Sequence, residues 1–209
     1  MKLLGTFYSW YLKKSPKIKG WLFKNIFSPP NLKIGTRFQC DTFPRVQITD
    51  NASIQIGDNV TFRRDVELRA HQNSQLKIGR QCQIDRGVRI LSTNSSRIKI
   101  GDRTKVGLYT VINGGDSVSV GSNCLISGFV YLQTSMHRHE REKFIQNQGY
   151  DHASIFLGED VWIGTHAVIM PGTTLNDGVV VGSNAVVTKS VQAGEIVGGV
   201  PARVLKKRG

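Results

Sequence analysis

Residues 134–153, TSMHRHEREKFIQNQGYDHA, gather the side chains with the most chemical capacity in this 209-residue chain. Three histidines (His137, His139, His152) stand among alternating bases and acids, and an imidazole with an ordinary pKa near 6.5 can take up or release a proton at neutrality. Loops of this kind, held on a regular scaffold, are where function concentrates. Metal binding is a second chemistry open to histidine. However, His137 and His139 are two apart and His71, His152 and His166 lie elsewhere, a spacing that does not suit a three-histidine zinc site, so no metal is expected. The cysteines Cys40, Cys82 and Cys124 are too few and too scattered for a disulfide framework, and their odd number fits a reducing, cytoplasmic setting.

The elements that must position this segment announce themselves by repetition. Aliphatic–Gly pairs recur at Ile56-Gly57, Ile78-Gly79, Ile100-Gly101, Val120-Gly121, Leu157-Gly158, Ile163-Gly164 and Val181-Gly182. Leu157, Ile163, Ile169, Leu175, Val181 and Val187 form an unbroken six-residue series, each followed four positions later by another compact residue. A period of six is neither that of a helix nor a continuing alternation, so the chain turns every six residues. Three short strands and three turns make a coil of about 18 residues, and parallel coils stack at about 4.8 Å. The Gly in each pair, with Asp58-Asn59, Ser122-Asn123 or Ser183-Asn184 after it, is expected to supply positive φ at the corners. Where the interval grows, from Ile56 to Ile78 and from Ile78 to Ile100 (22 residues each) and from Val120 to Leu157 (37), insertions are expected to bulge outward.

Three segments result: 1–33, a basic aromatic stretch expected to be helical; 34–197, the repeat array with the excursion 134–153; and 198–209, a tail in which Pro201 is expected to begin a short helix. The first 37 residues hold eight Lys or Arg and no acid, interleaved with seven aromatic residues. Leu3, Leu4, Phe7, Trp10 and Tyr11 share a helical face that either caps the core or lets residues 1–30 lie on an anionic membrane. Lys13 and Lys14 cut the apolar run short, against a signal peptide, and no run of about 18 apolar residues occurs. With 28 Lys and Arg against 15 Asp and Glu, net +13, the partner is expected to be anionic. No basic face is interleaved with a known recognition element, so nucleic acid is not expected.

Met136-His137, Gln148-Gly149-Tyr150, the run GEDVWIGTHAVIMPGTTL and the tail VVTKSVQAGEIVGGVPARVLKK, set in the hexapeptide array, resemble the hexapeptide-repeat acyltransferases, which include galactoside, xenobiotic, serine and polysaccharide O-acetyltransferases. The resemblance covers residues 50–207 and implies an all-β fold, a left-handed parallel β-helix, assembled as a homotrimer. It implies direct acetyl transfer from acetyl-CoA to a hydroxyl, with His137 as general base. An alcohol is a poor nucleophile at pH 7 and imidazole can accept its proton, while the thioester is already activated and needs no metal. Trp162, Thr165, Ser183, Thr188 and Lys189 match positions that line CoA, and Arg203 and Lys206 match basic positions near its phosphates. Asn113 and Asp116 fall where relatives contact the acceptor, although a turn role for Asp116 competes.

The expected acceptor is a saccharide, as in a surface-polysaccharide precursor. The alternatives are an acetyltransferase for a small non-sugar acceptor, and a noncatalytic solenoid scaffold; regular Thr ladders, which flat ice-binding faces want, are lacking here.

Overall fold

A computed structural model describes residues 2–209, with side chains from Tyr8 onward except Trp10; the apolar face read on Leu3, Leu4, Phe7 and Trp10 lies outside the described side chains. From Leu32 to Val187, apart from one hairpin, the chain visits three sheets in fixed rotation, each new strand lying parallel to its counterpart one coil earlier. The first face runs from Leu32–Ile34 to Thr174–Leu175. The second begins at Gln39–Cys40, and the third runs from Arg45–Ile48 to Val186–Val187. This is a parallel β-solenoid, as the six-residue period requires.

Register carries the aliphatic anchors into columns. Ile56 pairs with Ile78, Ile78 with Ile100, Ile100 with Val120, Val120 with Leu157, and Leu157 with Leu175. All six are buried, together with the compact residues of the corners, in one continuous core. The buried corner column Val60, Cys82, Thr104, Cys124 and Val161 contains two thiols, which donate to the carbonyls of Gly101 and Gly158 on the next coil. Burial pushes the Cys82 and Cys40 thiols up to about 11, so they serve as core residues.

Two sequence expectations are corrected here. The 22-residue coils carry no outward bulges: their extra residues lengthen two of the three strands, as in Ser53–Ile56 and Glu67–Ala70, where later coils have two-residue strands such as Val168–Ile169 and Thr174–Leu175. Positive φ at the quoted corners belongs to Asn59 (56°), Asn123 (60°) and Asn184 (59°), residues whose short polar side chains tolerate that region. The glycines serve close stacking instead. A Cβ on Gly57 would lie 2.8 Å from the Gly79 carbonyl carbon, and one on Gly121 would lie 2.5 Å from that of Gly158.

Both ends of the solenoid are covered. The helix α1 (Lys2–Leu22) passes into a π-helical turn, Phe23–Phe27, and its second half sits on the first coil. At Gly20 a Cβ would strike the Phe38 carbonyl oxygen, so glycine permits the approach. Phe23 is buried against Phe38 and Phe43, and Phe38 meets Phe62 edge to face at 5.1 Å. Burying a side chain such as Phe23 contributes about 2 kcal/mol. Lys19 and Lys24 donate to the carbonyls of Asp41 and Gly35, each at 2.8 Å. The second half of the segment thus caps the first coil, through Phe23 and not through the face on which capping was expected, while Tyr8, Tyr11, Leu12, Ile18 and Trp21 are exposed.

At the other end no helix begins at Pro201. Arg203–Lys207 is a strand that returns antiparallel to Glu195–Gly198. The last parallel strand would otherwise present unpaired N–H and C=O groups, and a helix could not pair with that edge.

Gly121→Ala places a methyl group in the backbone of the next coil and is expected to lower the unfolding free energy by about 2–3 kcal/mol, as overpacking does. Denaturant unfolding of the purified variant checks this, and a midpoint equal to that of the parent refutes the stacking role.

Candidate active site

After Tyr131–Gln133 the chain does not turn through the usual four-residue corner between the third and first faces. Ser135–His137 leaves the solenoid, pairs antiparallel with Tyr150–His152, and the chain re-enters at Ile155–Leu157. The base of this hairpin is fastened to the coil beneath. Thr134 Oγ1 donates to the Asn113 carbonyl at 2.7 Å and accepts from the Asp116 N–H at 3.0 Å. Asp116 Oδ1 accepts from the Ser117 N–H at 2.5 Å and from Ser154 Oγ at 3.0 Å, so Asp116 has the turn role that competed in the sequence reading. Ser135 Oγ and His152 Nδ1 lie 2.9 Å apart.

At the far end of the hairpin His137 is opposite Tyr150, the rings 4.1 Å apart and inclined at 39°. His137 borders a shallow surface depression together with Lys143, Phe144, Ile145 and Gln146. His139 Nδ1 lies 3.1 Å from the His137 carbonyl oxygen, folded back on the chain. Arg138 Nε donates to Asp151 Oδ1 at 2.7 Å, and this hydrogen bond, then the charge of the carboxylate, raises the Arg138 pKa. Gln148 fastens the tip: its Oε1 accepts from the Glu140 N–H at 2.7 Å, while its Nε2 donates to the carbonyls of Glu140 and Lys143 at 2.8 and 2.7 Å. An exposed imidazole held beside an aromatic ring can exchange a proton with a group entering this depression.

The sequence reading assigned no role to Tyr150 or Gln148. Gln148-Gly149-Tyr150 stood out in the sequence only as a motif of the resemblance; the pairing of Tyr150 with His137 comes from the antiparallel hairpin register, which a six-residue period does not contain.

The remaining sequence-selected residues fall on different parts of the prism. Thr165 and Ser183 share one corner, on successive coils: the Asn184 N–H donates to the Thr165 carbonyl, and Thr165 Oγ1 donates to the Gly128 carbonyl. Trp162 lies on the adjoining second face, half exposed, in register with Leu125 and Val180, its Nε1 3.4 Å from Ser127 Oγ. Arg203 and Lys206 extend that same face as part of the returning strand, in pairs with Gly198 and Ile196. Thr188 and Lys189 follow Val186–Val187 at the other corner, the one from which the His137 hairpin departs two coils earlier. Asn113 is on the third face, its Nδ2 3.4 Å from the Tyr131 hydroxyl. Trp162, Thr165, Ser183, Arg203 and Lys206 thus share one side of the chain, whereas Thr188, Lys189, Asp116 and the His137 hairpin lie along another corner.

Residues 154–189 match the model described as bacterial transferase hexapeptide (six repeats), and residues 97–133 match the hexapeptide repeat of succinyl-transferase. The chain is 38% identical over 112 residues to a chloramphenicol acetyltransferase of Agrobacterium fabrum, covering 46% of this chain and 54% of that protein. It is 31% identical over 114 residues to an Escherichia coli K12 protein named for O-acetyl transfer in lipopolysaccharide biosynthesis, covering 51% and 58%. The chain spans about half the length of the curated relatives it matches. Among solved structures, a hexapeptide-repeat acetyltransferase of Vibrio cholerae complexed with acetyl-coenzyme A superposes with a TM-score of 0.51 at 32% identity, over 54% of this chain and 61% of that one.

Gln148→Ala removes three hydrogen bonds worth about 1 kcal/mol each, so the tip should open more often and tryptic cleavage after Arg141 or Lys143 should accelerate about tenfold or more. Timed limited proteolysis followed by mass spectrometry measures this; an unchanged rate means the tip is held by other contacts.

Columns of stacked anchors, two matched repeat segments and acetyltransferase relatives matched over about half their length agree: the chain folds as a β-solenoid that carries hexapeptide repeats over 97–133 and 154–189 and is similar there to bacterial acetyltransferases.

Proposed function

We propose that the protein is an acetyl-CoA-dependent O-acetyltransferase acting on a saccharide hydroxyl, with His137 as general base in a ternary complex. The observation that carries this reading is the position of His137: it stands on the one long excursion of the array, on a hairpin fastened at base and tip, with its ring against Tyr150. The hydroxyl of the acceptor gives its proton to the imidazole as its oxygen attacks the thioester carbonyl, and the thiol of CoA leaves. The oxyanion that develops is met by a hydrogen-bond donor such as a backbone N–H.

CoA is proposed to lie along Trp162, Thr165 and Ser183, with Thr188 and Lys189 from the other corner and with Arg203 and Lys206 toward its phosphates. Because these residues divide between two sides of one chain, a parallel homotrimer, in which one subunit's hairpin corner faces its neighbour's Trp162 side, would reunite them. The exposed Phe129 and Phe156 favour such an association. Asn113 and the carboxylate of Asp116, beside the hairpin base, are proposed to contact the acceptor. The polysaccharide-directed name of the Escherichia coli relative supports a saccharide. The chloramphenicol acetyltransferase relative favours a second reading, a small non-sugar acceptor, which an acceptor screen read by thiol release separates from the first. The basic N-terminal segment, with its exposed aromatic residues, is proposed to rest on an anionic membrane surface in the cytoplasm.

His137→Ala should lower turnover by about 10² to 10⁴ with acetyl-CoA affinity nearly unchanged; full turnover by the variant would overturn the assignment. Arg203→Ala with Lys206→Ala should raise the apparent KM for acetyl-CoA much more than that for its dephospho analogue, whereas equal effects on the two donors remove the phosphate contact.

A further inference from the structure

The junction between α1 and the first coil contains a cavity of about 500 Å³ that acetyl transfer does not use. Lys17, Trp21 and Lys24 lie on one helical face, at spacings of four and three, and they meet Arg37, Phe38 and Gln39 of the first coil across it. Three cations therefore converge on one opening with no Asp or Glu in its lining. Among the described residues, none of the three forms an ion pair. Lys24 Nζ is held by the Gly35 carbonyl, a neutral acceptor, with the Asp58 carboxylate within electrostatic reach outside the cavity lining. The carboxylate nearest in influence, Asp58, is committed to Thr36, accepting from its N–H at 2.6 Å and its hydroxyl at 2.9 Å.

Convergent cations without a carboxylate suit a multiply charged oxyanion, to which each can donate charge-assisted hydrogen bonds. The cavity is also partly apolar. Trp21 is a wall of it, and Ile18, three residues earlier on the helix, is exposed beside Trp21. An indole next to a cationic opening matches the boundary between a headgroup and an acyl or prenyl chain. We propose that this cavity binds the phosphate group of a membrane amphiphile, with Lys17, Lys24 and Arg37 around the phosphate and Trp21 against the start of the chain.

The inference rests on the membrane-contact reading of the N-terminal segment and is separable from it. Lys13 and Lys14 are exposed on the same helix but outside the cavity, so Lys13→Gln with Lys14→Gln removes the same charge as Lys17→Gln with Arg37→Gln. A charge near an anionic surface is worth about 1 kcal/mol, so diffuse attraction alone would weaken both pairs alike.

The full chain and both variants, checked for unchanged unfolding midpoints, would be compared by co-sedimentation with phosphatidylcholine vesicles containing phosphatidic acid, and by calorimetric titration with inorganic diphosphate. The Lys17/Arg37 pair should lose at least about tenfold more vesicle affinity than the Lys13/Lys14 pair, and should lose diphosphate binding that the other pair retains. Equal losses in the two pairs, or no diphosphate binding by the parent, overturn the phosphate site while leaving membrane contact by the helix standing. Diphosphate binding without vesicle binding overturns the lipid source and assigns the cavity to a soluble phosphate. Vesicle binding that ignores phosphatidic acid overturns both the site and the electrostatic part of membrane contact.

Discussion

Coil-to-coil stacking is the constraint from which the rest of the molecule follows. At each Gly after an anchor, the N–H donates to a carbonyl one coil ahead: Gly57 to Ile78, Gly79 to Ile100, Gly101 to Val120, Gly121 to Leu157 and Gly158 to Leu175, all at 2.8 Å. The approach is close enough that a Cβ on Gly57, Gly79, Gly101, Gly121 or Gly158 would collide with the following coil. Inward side chains then sit directly above their counterparts, and the branched anchors fill a narrow interior. Buried hydroxyls at two different corners obey the same geometry: Thr104 Oγ1 donates to the Gly121 carbonyl and Thr110 Oγ1 to that of Ser127, each at 2.9 Å, so both are partnered.

A stack in which each coil meets only its neighbours is stable in its middle and vulnerable at its ends. The protein closes the two ends by different means. A helix brings Phe23 to the aromatic residues of the first coil, and a five-residue strand folds back on the last. The first device leaves a cationic cavity between unlike elements. The second leaves Arg203 and Lys206 displayed in a row with Trp162 on the same face.

The stack also explains how a long loop can be inserted without loss of order. Between Val120 and Leu157 the chain makes the detour 134–153, which stretches the interval to 37 residues, yet the two remain in register as neighbours. The detour costs the solenoid little because it leaves and returns at one corner, where Thr134, Asp116 and Ser154 tie its two stems to the coil below. At the far end the His137 ring lies against Tyr150, and Gln148 ties the tip to Glu140 and Lys143.

The sequence by itself determined the solenoid, because a six-residue apolar period admits no other regular structure, and it located the excursion as the break in that period. The tertiary structure decided what a one-dimensional period does not encode. Long coils widen two sides and do not bulge, because Ser53–Ile56 and Glu67–Ala70 keep alternating inward residues through added strand length. Corner glycines answer to the neighbouring coil, and asparagines carry the positive φ, a division visible only once coils are stacked. The tail became a strand because an open sheet edge lay within its reach. Tyr150 beside His137 and Gln148 across the tip arise from antiparallel pairing inside the excursion, where contacts depend on how the chain folds back on itself and not on spacing along it.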